Sequence, residues 1–141
     1  MAYPLQPITV TAGVTLTKDT HAGTVVVHNS ADGGTIVLPA STGKGDKYTV
    51  FVLTTVTTDL VIEVANATDE FRGGVSISSA IDGVTFLASD NDDTLTMNGS
   101  TTGGVTGSWV SFTDVSSGIW MVNGFLCSSG SEADCFSAAV S

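Results

Sequence analysis

Short runs in which threonine or serine alternates with a branched or aromatic apolar residue recur along almost the whole chain. Ile8-Thr-Val-Thr11, Val14-Thr-Leu-Thr17 and Lys47-Tyr-Thr-Val-Phe-Val-Leu53 show the pattern first; Val75-Ser-Ile-Ser78, Val84-Thr-Phe-Leu87 and Thr94-Leu-Thr-Met97 repeat it. A period of two puts apolar side chains on one face of a strand and hydroxyls on the other. Branched residues suit that pleated, half-buried surface. Thr24-Val-Val-Val-His28 is instead a continuous run and reads as a strand buried on both faces. No stretch combines a 3.6-residue period with caps at both ends, so helix is not expected.

Turn chemistry separates the runs. Ser30-Ala-Asp-Gly-Gly34 precedes Thr35–Leu38, which Pro39 ends, and Asp82-Gly83 is a favoured hairpin dipeptide. Trp109–Thr113 and Ile119–Val122 flank a short turn through Ser116, Ser117 and Gly118. A two-residue turn at Ser116-Ser117 would set Trp109 across from Gly124, a ring covering the weak spot a glycine leaves in a strand. Glu132–Phe136 reads as one helical turn or a last strand. The expectation is a single all-β domain over residues 9–141, an antiparallel β-sandwich, jelly-roll-like, or a β-barrel. Ahead of it, residues 1–8 form an extended N-terminal arm in which Pro4 and Pro7 oppose helix and Tyr3 and Leu5 offer apolar anchors. Tyr3, Pro4, Leu5 and Pro7 are the candidate contact residues of that arm. No repeat of fixed period is visible, which counts against a solenoid.

Charge narrows the partners. The formal net charge is −10, while only 13% of residues are charged, about half the usual share. The four basic residues, Lys18, Lys44, Lys47 and Arg72, are scattered, so nucleic acid is not an expected partner. A neutral, Thr-rich surface is prone to association, and part of it is expected to lie against a partner or a sister subunit. No apolar stretch approaches membrane-spanning length, and Met1–Ile8 lacks the basic and apolar regions of a leader. Synthesis in a cytoplasm and a soluble product are the expectation.

Motifs that carry chemistry fail one by one. Ser41-Thr-Gly-Lys-Gly-Asp46 looks like a phosphate loop, but Leu38 stands where the first glycine belongs and Gly45 follows the lysine. The stretch reads as a strand connection. Asp90-Asn-Asp-Asp93 lacks the calcium-loop glycine and terminal glutamate and reads as an exposed acidic turn. His21 and His28 sit at the ends of one extended stretch with no nucleophile elbow anywhere in the chain. The other carboxylates fall mostly in turns, where solvation is expected. Both tryptophans, Tyr48, Phe51 and Phe86 are expected in the core, with stacking on sugars as the other use of such rings. Cys127 and Cys135 have no histidine nearby for zinc. Either they close a local disulfide, which contributes about 2.5 kcal/mol, or they remain two free thiols. No catalytic, metal or cofactor residue is assigned, and an enzyme is not expected.

Several stretches together resemble small virion proteins of tailed bacteriophages. They are Thr35-Ile-Val-Leu-Pro-Ala-Ser-Thr-Gly-Lys-Gly-Asp-Lys-Tyr48, Val61-Ile-Glu-Val-Ala-Asn-Ala-Thr-Asp69, Thr96-Met-Asn-Gly-Ser-Thr-Thr-Gly-Gly104, Gly107-Ser-Trp109, Gly118-Ile-Trp-Met-Val-Asn-Gly124 and Gly130-Ser-Glu-Ala-Asp-Cys-Phe136. The resemblance covers nearly the whole chain and is to the capsid decoration, or cement, proteins. It implies a β-rich homotrimer on the outer face of a phage head, made in the host bacterial cytoplasm, bridging major capsid proteins and bringing no catalytic residues. The Cys127–Cys135 pair departs from the family pattern. A head- or tail-fibre module that binds a host surface glycan is the alternative expectation.

Overall fold

The computed structural model describes residues 6–140. In chain order the elements are β1 (Ile8–Val10), β2 (Val14–Thr15), the single turn α1 (Lys18–His21), β3 (Val25–His28), β4 (Gly34–Val37), β5 (Lys47–Val52) and β6 (Leu60–Glu63). Then follow β7 (Glu70–Ser78), β8 (Gly83–Leu87), β9 (Thr94–Met97), β10 (Trp109–Ser116), β11 (Ile119–Cys127) and β12 (Phe136–Ser137). They build a seven-stranded sheet of order β1-β3-β5-β10-β11-β7-β8 and a five-stranded sheet of order β12-β9-β6-β4-β2. The two sheets pack around one core, as the alternating pattern of the sequence requires.

The pairing corrects the antiparallel expectation: both sheets are mixed. From β1 to β6 the chain passes back and forth between the sheets, so strands two apart become neighbours and run the same way. β1, β3 and β5 are parallel, and so are β2, β4 and β6. This half is a flattened two-sheet coil. Its turns are unequal, since Ile8 aligns with Val26 and Val26 with Val50, steps of 18 and 24 residues. Unequal steps leave no fixed repeat in the sequence to detect. The later strands supply the antiparallel pairs β5·β10, β10·β11, β7·β8, β6·β9 and β9·β12.

Alternation decides burial. On β5, Tyr48, Val50 and Val52 are buried while Lys47, Thr49 and Phe51 face outward. β3 follows the same rule, with Val26 and His28 buried and Val25 and Val27 half-buried, so it is not covered on both faces. Tyr48 meets Trp120 edge-to-face at 5.7 Å, and Phe71 lies 5.1 Å from Phe112 between ring centres. The last strand is β12; Glu132–Phe136 forms no helical turn.

The β10–β11 hairpin turns at Ser117-Gly118, where Gly118 takes a φ of 83°, and a bulge at Val115 shifts the register. Val110, not Trp109, therefore faces Gly124. A side chain at Gly124 would run into the Trp109 carbonyl, so the glycine serves a close backbone approach and not a ring above it.

Candidate interaction face

One surface stands apart in the fold, the outer face of the seven-stranded sheet. Register places Thr9, Val27, Phe51, Trp109, Phe125, Ser76 and Thr85 in one row across all seven strands. The next row is Val25, Thr49, Ser111, Asn123, Gly74 and Leu87. Neither row holds a charged side chain, on a chain of net charge −10. Lys47 and Arg72 come only in the third row, beside Thr113 and Met121. Trp109 is 37% and Phe125 43% exposed, with Met121 and Leu53 exposed to a similar extent. Thr49 and Ser111 share a hydrogen bond of 2.7 Å, which occupies hydroxyls beneath the aromatic row. A contiguous apolar face with satisfied polar neighbours is the pattern of a surface that another molecule covers.

The sequence places Trp109 in the core, and the structure corrects this. Trp109 lies one residue out of phase with buried Val110 and Phe112, so its ring stands on the outer face. Phe51 is outward for the same reason. Trp120 and Tyr48 are core residues as expected, and Phe86 is half-buried. The missed signal was phase: on β10 the bulkiest residue is not on the buried face.

The carboxylates expected in solvated turns are in part buried ties. Asp114 is 2% exposed and accepts hydrogen bonds from the Ser41 hydroxyl, the Thr42 N–H and hydroxyl, and the Gly43 N–H. Burial by itself would raise its pKa, but these donors outweigh burial and hold it below the ordinary carboxylate value. The loop that looks like a phosphate cradle does enclose an anion, and that anion is the protein's own. Asp69 accepts from the Ser41 N–H and the Asn66 amide. Asp93, read from sequence as part of an exposed turn, is buried and accepts from the Ala139 and Val140 N–H groups and the Thr94 hydroxyl. Its neighbour Asp90 is exposed and pairs with Arg72 at 3.1 Å. Among the described residues no three His, Cys, Asp or Glu side chains gather as metal ligands.

His28 is fully buried, and neither ring nitrogen has a hydrogen-bond partner. Burial lowers its pKa; the Gly33 backbone opposes this in part without the geometry of a hydrogen bond. His21 lies on α1 and accepts from the Thr17 N–H through Nδ1. Cys127 and Cys135 are free thiols, so the disulfide left open by the sequence is not formed. Cys127 ends β11 in the larger sheet, whereas the Cys135 carbonyl accepts from the Thr96 N–H in the smaller one. Of the arm residues, Tyr3, Pro4 and Leu5 lie outside the described residues, and Pro7 is exposed just before β1. Ile8, assigned to the arm by sequence, already pairs with Val26. Among the described residues no helix is long and apolar enough to cross a membrane.

Comparison with family models, curated proteins and solved structures finds no match to this chain.

Proposed function

We propose that this chain is a virion structural protein, a capsid decoration (cement) subunit that binds the outer face of a phage head and bridges major capsid proteins. The observation that carries the reading is the uncharged aromatic row Phe51–Trp109–Phe125 on an otherwise acidic protein. Such a face gains stability when covered, at roughly 25 cal/mol per Å² of apolar area removed from water. The buried carboxylates are occupied by backbone and hydroxyl donors, which suits a rigid fastener. The resemblance adds a homotrimer, which would carry three times the charge of one chain. That charge favours the outside of the shell over contact with packaged DNA. A trimer with several modest contacts holds through avidity, and binding the assembled lattice alone stabilises it by mass action. Tyr3, Pro4, Leu5 and Pro7 are the arm positions proposed to reach a neighbour.

The experiment is co-sedimentation of the pure protein with undecorated heads, with its mass in solution measured by light scattering. A trimer that saturates the heads, and loses binding in Trp109→Ser, supports the reading. A monomer that does not sediment with heads overturns it. A second reading has its own observation: a half-exposed tryptophan in a flat row with two phenylalanines also suits the apolar face of a sugar, as in a fibre module for a host glycan. Binding to a glycan array that Trp109→Ser abolishes, with no binding to heads, would select that reading instead.

A further inference from the structure

The free edge of the larger sheet differs from the other three. β1 is three residues long and follows Pro7, and β2 and β12 are two residues each. Short strands and proline blunt an edge against pairing. β8 is five residues, Gly83-Val-Thr-Phe-Leu87, with no charge and no proline. Among the described residues no strand pairs with its outer side.

The ladder tells which backbone groups are free. The Ala88 N–H donates to the Gly73 carbonyl at one end of the β7–β8 pair, and the Ser79 N–H to the Asp82 carbonyl at the other. Antiparallel pairs alternate between bonded and non-bonded, so Val84 and Phe86 turn their backbone groups toward β7. Gly83, Thr85 and Leu87 turn theirs away from the sheet.

β8 also lacks a cover. Val84 pairs with Ile77, which is fully buried, so it stands on the core side of the sheet, yet it is 46% exposed. Val84 is therefore left open, while Phe86 on the same face packs half-buried against the core. Ile81, at the hairpin tip, is 92% exposed. Beside it a cavity of about 500 Å³ opens between the loops at Ser79–Asp82 and Ser128–Glu132. The rim of the cavity is acidic, with Asp82 and Glu132 on it.

We propose that this edge is a docking slot for an extended segment of a partner protein. That segment pairs with Gly83, Thr85 and Leu87, sets alternate apolar side chains against Val84 and Ile81, and carries a basic residue near Asp82 and Glu132. Main-chain pairing of this kind supplies affinity, and the alternate side-chain pockets supply selectivity. A second copy of this chain is disfavoured as occupant because it would bring the same acidic rim against this one. The proposal does not rest on the capsid reading: it concerns the outward backbone groups of β8, at the margin of the sheet and beyond the Phe51–Trp109–Phe125 row.

The test uses the intact protein and a synthetic peptide of alternating valine and threonine with a lysine at each end. A second peptide ends in glutamates, and a third has proline in the middle. The lysine peptide is expected to slow amide exchange at Gly83, Thr85 and Leu87 by tenfold or more and to saturate. The other two are expected to leave those amides unchanged. Thr85→Pro removes one outward N–H while sparing the β7 ladder, and should abolish the protection with its melting temperature retained. Val84→Ser, a milder change, should weaken the peptide several-fold and confirms the site if Thr85→Pro does not fold. Absence of protection with the lysine peptide overturns the slot, and equal protection by the glutamate peptide overturns the basic partner. Concentration-dependent self-association through β8 would make a second copy the occupant and overturn the proposal likewise.

Discussion

Trp109 and Phe125 stand directly opposite each other across β10 and β11, and Phe51 is the partner of Trp109 on its other side. The pairing sets three aromatic residues side by side, two from one hairpin and the third from β5, more than 50 residues earlier. Strand phase, the Ser117-Gly118 turn and the Val115 bulge bring them together; the same turn without the bulge would have put Trp109 opposite Leu126.

Because Trp109 stands on the outer face and Trp120 in the core, the two indoles should differ in every probe of solvent. Trp109→Ser should cost about 1 kcal/mol of unfolding free energy, the range of a cross-strand pair plus partial burial. Trp120→Ala should cost about 3–5 kcal/mol. Denaturant midpoints measure this, and acrylamide should quench the fluorescence of Trp120→Phe far more than that of Trp109→Phe. Equal costs for the two would mean the outer face is not a free surface.

Asp114 ties the Ser41–Gly43 loop to the start of the β10–β11 turn. Asp114→Ala leaves buried N–H groups without an acceptor and should cost about 3 kcal/mol or more. Asp114→Asn keeps one acceptor oxygen and should cost less. Because the folded carboxyl is held below its ordinary 3.8, its stabilisation is complete above that value and is lost as pH falls through the lower folded pKa. Acid unfolding of Asp114→Asn should lack that component, as circular dichroism across pH 2–5 would report.

The strands were legible where their period of two holds, as on β5: Tyr48, Val50 and Val52 alternate with Thr49 and Phe51 in sequence and in space. Strand direction was not legible. Nothing local in Val25–His28 says that the next strand lies in the other sheet, and the parallel order of β1, β3 and β5 arises from that crossing. The buried Asp69, Asp93 and Asp114 were hidden for a related reason. Their donors lie as far as 73 residues away, as with Ser41 and Asp114, so a turn-like neighbourhood in sequence carries no trace of the burial.

The two thiols should react very unequally. Cys127 is half-buried, whereas Cys135 is in the core, where burial chiefly, with the Asp134 charge adding to it, pushes its pKa up to about 12. A thiol so far from ionisation is a poor nucleophile. Native protein should take one equivalent of a thiol reagent at Cys127, and the second only on unfolding, as mass spectrometry would resolve. The raised pKa also implies stability that is full below the unfolded value of 9.0 and declines as pH rises toward the folded one. Two rapid equivalents on the native protein would contradict the burial of Cys135.

His28 should make the fold sensitive to mild acid. Its ring is buried without a partner, and the elements beside it bring no carboxylate: β1 contributes Ile8, Thr9 and Val10, and Val52 of β5 is its register partner. Burial lowers its pKa below the ordinary 6.5. The unfolded chain therefore takes up a proton near pH 6.5 that the native protein refuses. Stability is complete above that pH and falls as pH drops toward the folded value, by at most about 1.4 kcal/mol per pH unit for one proton. The Asp114 contribution fades only below its own unfolded value, so the two windows separate. His28→Leu removes the refused proton and the unpartnered nitrogens at similar volume. Between pH 6.5 and 4.5 the loss of stability in the variant should be smaller than in the natural protein by the His28 share, measured by urea midpoints at fixed pH. Identical pH slopes for the two proteins would mean that the ring finds a proton acceptor in the folded state.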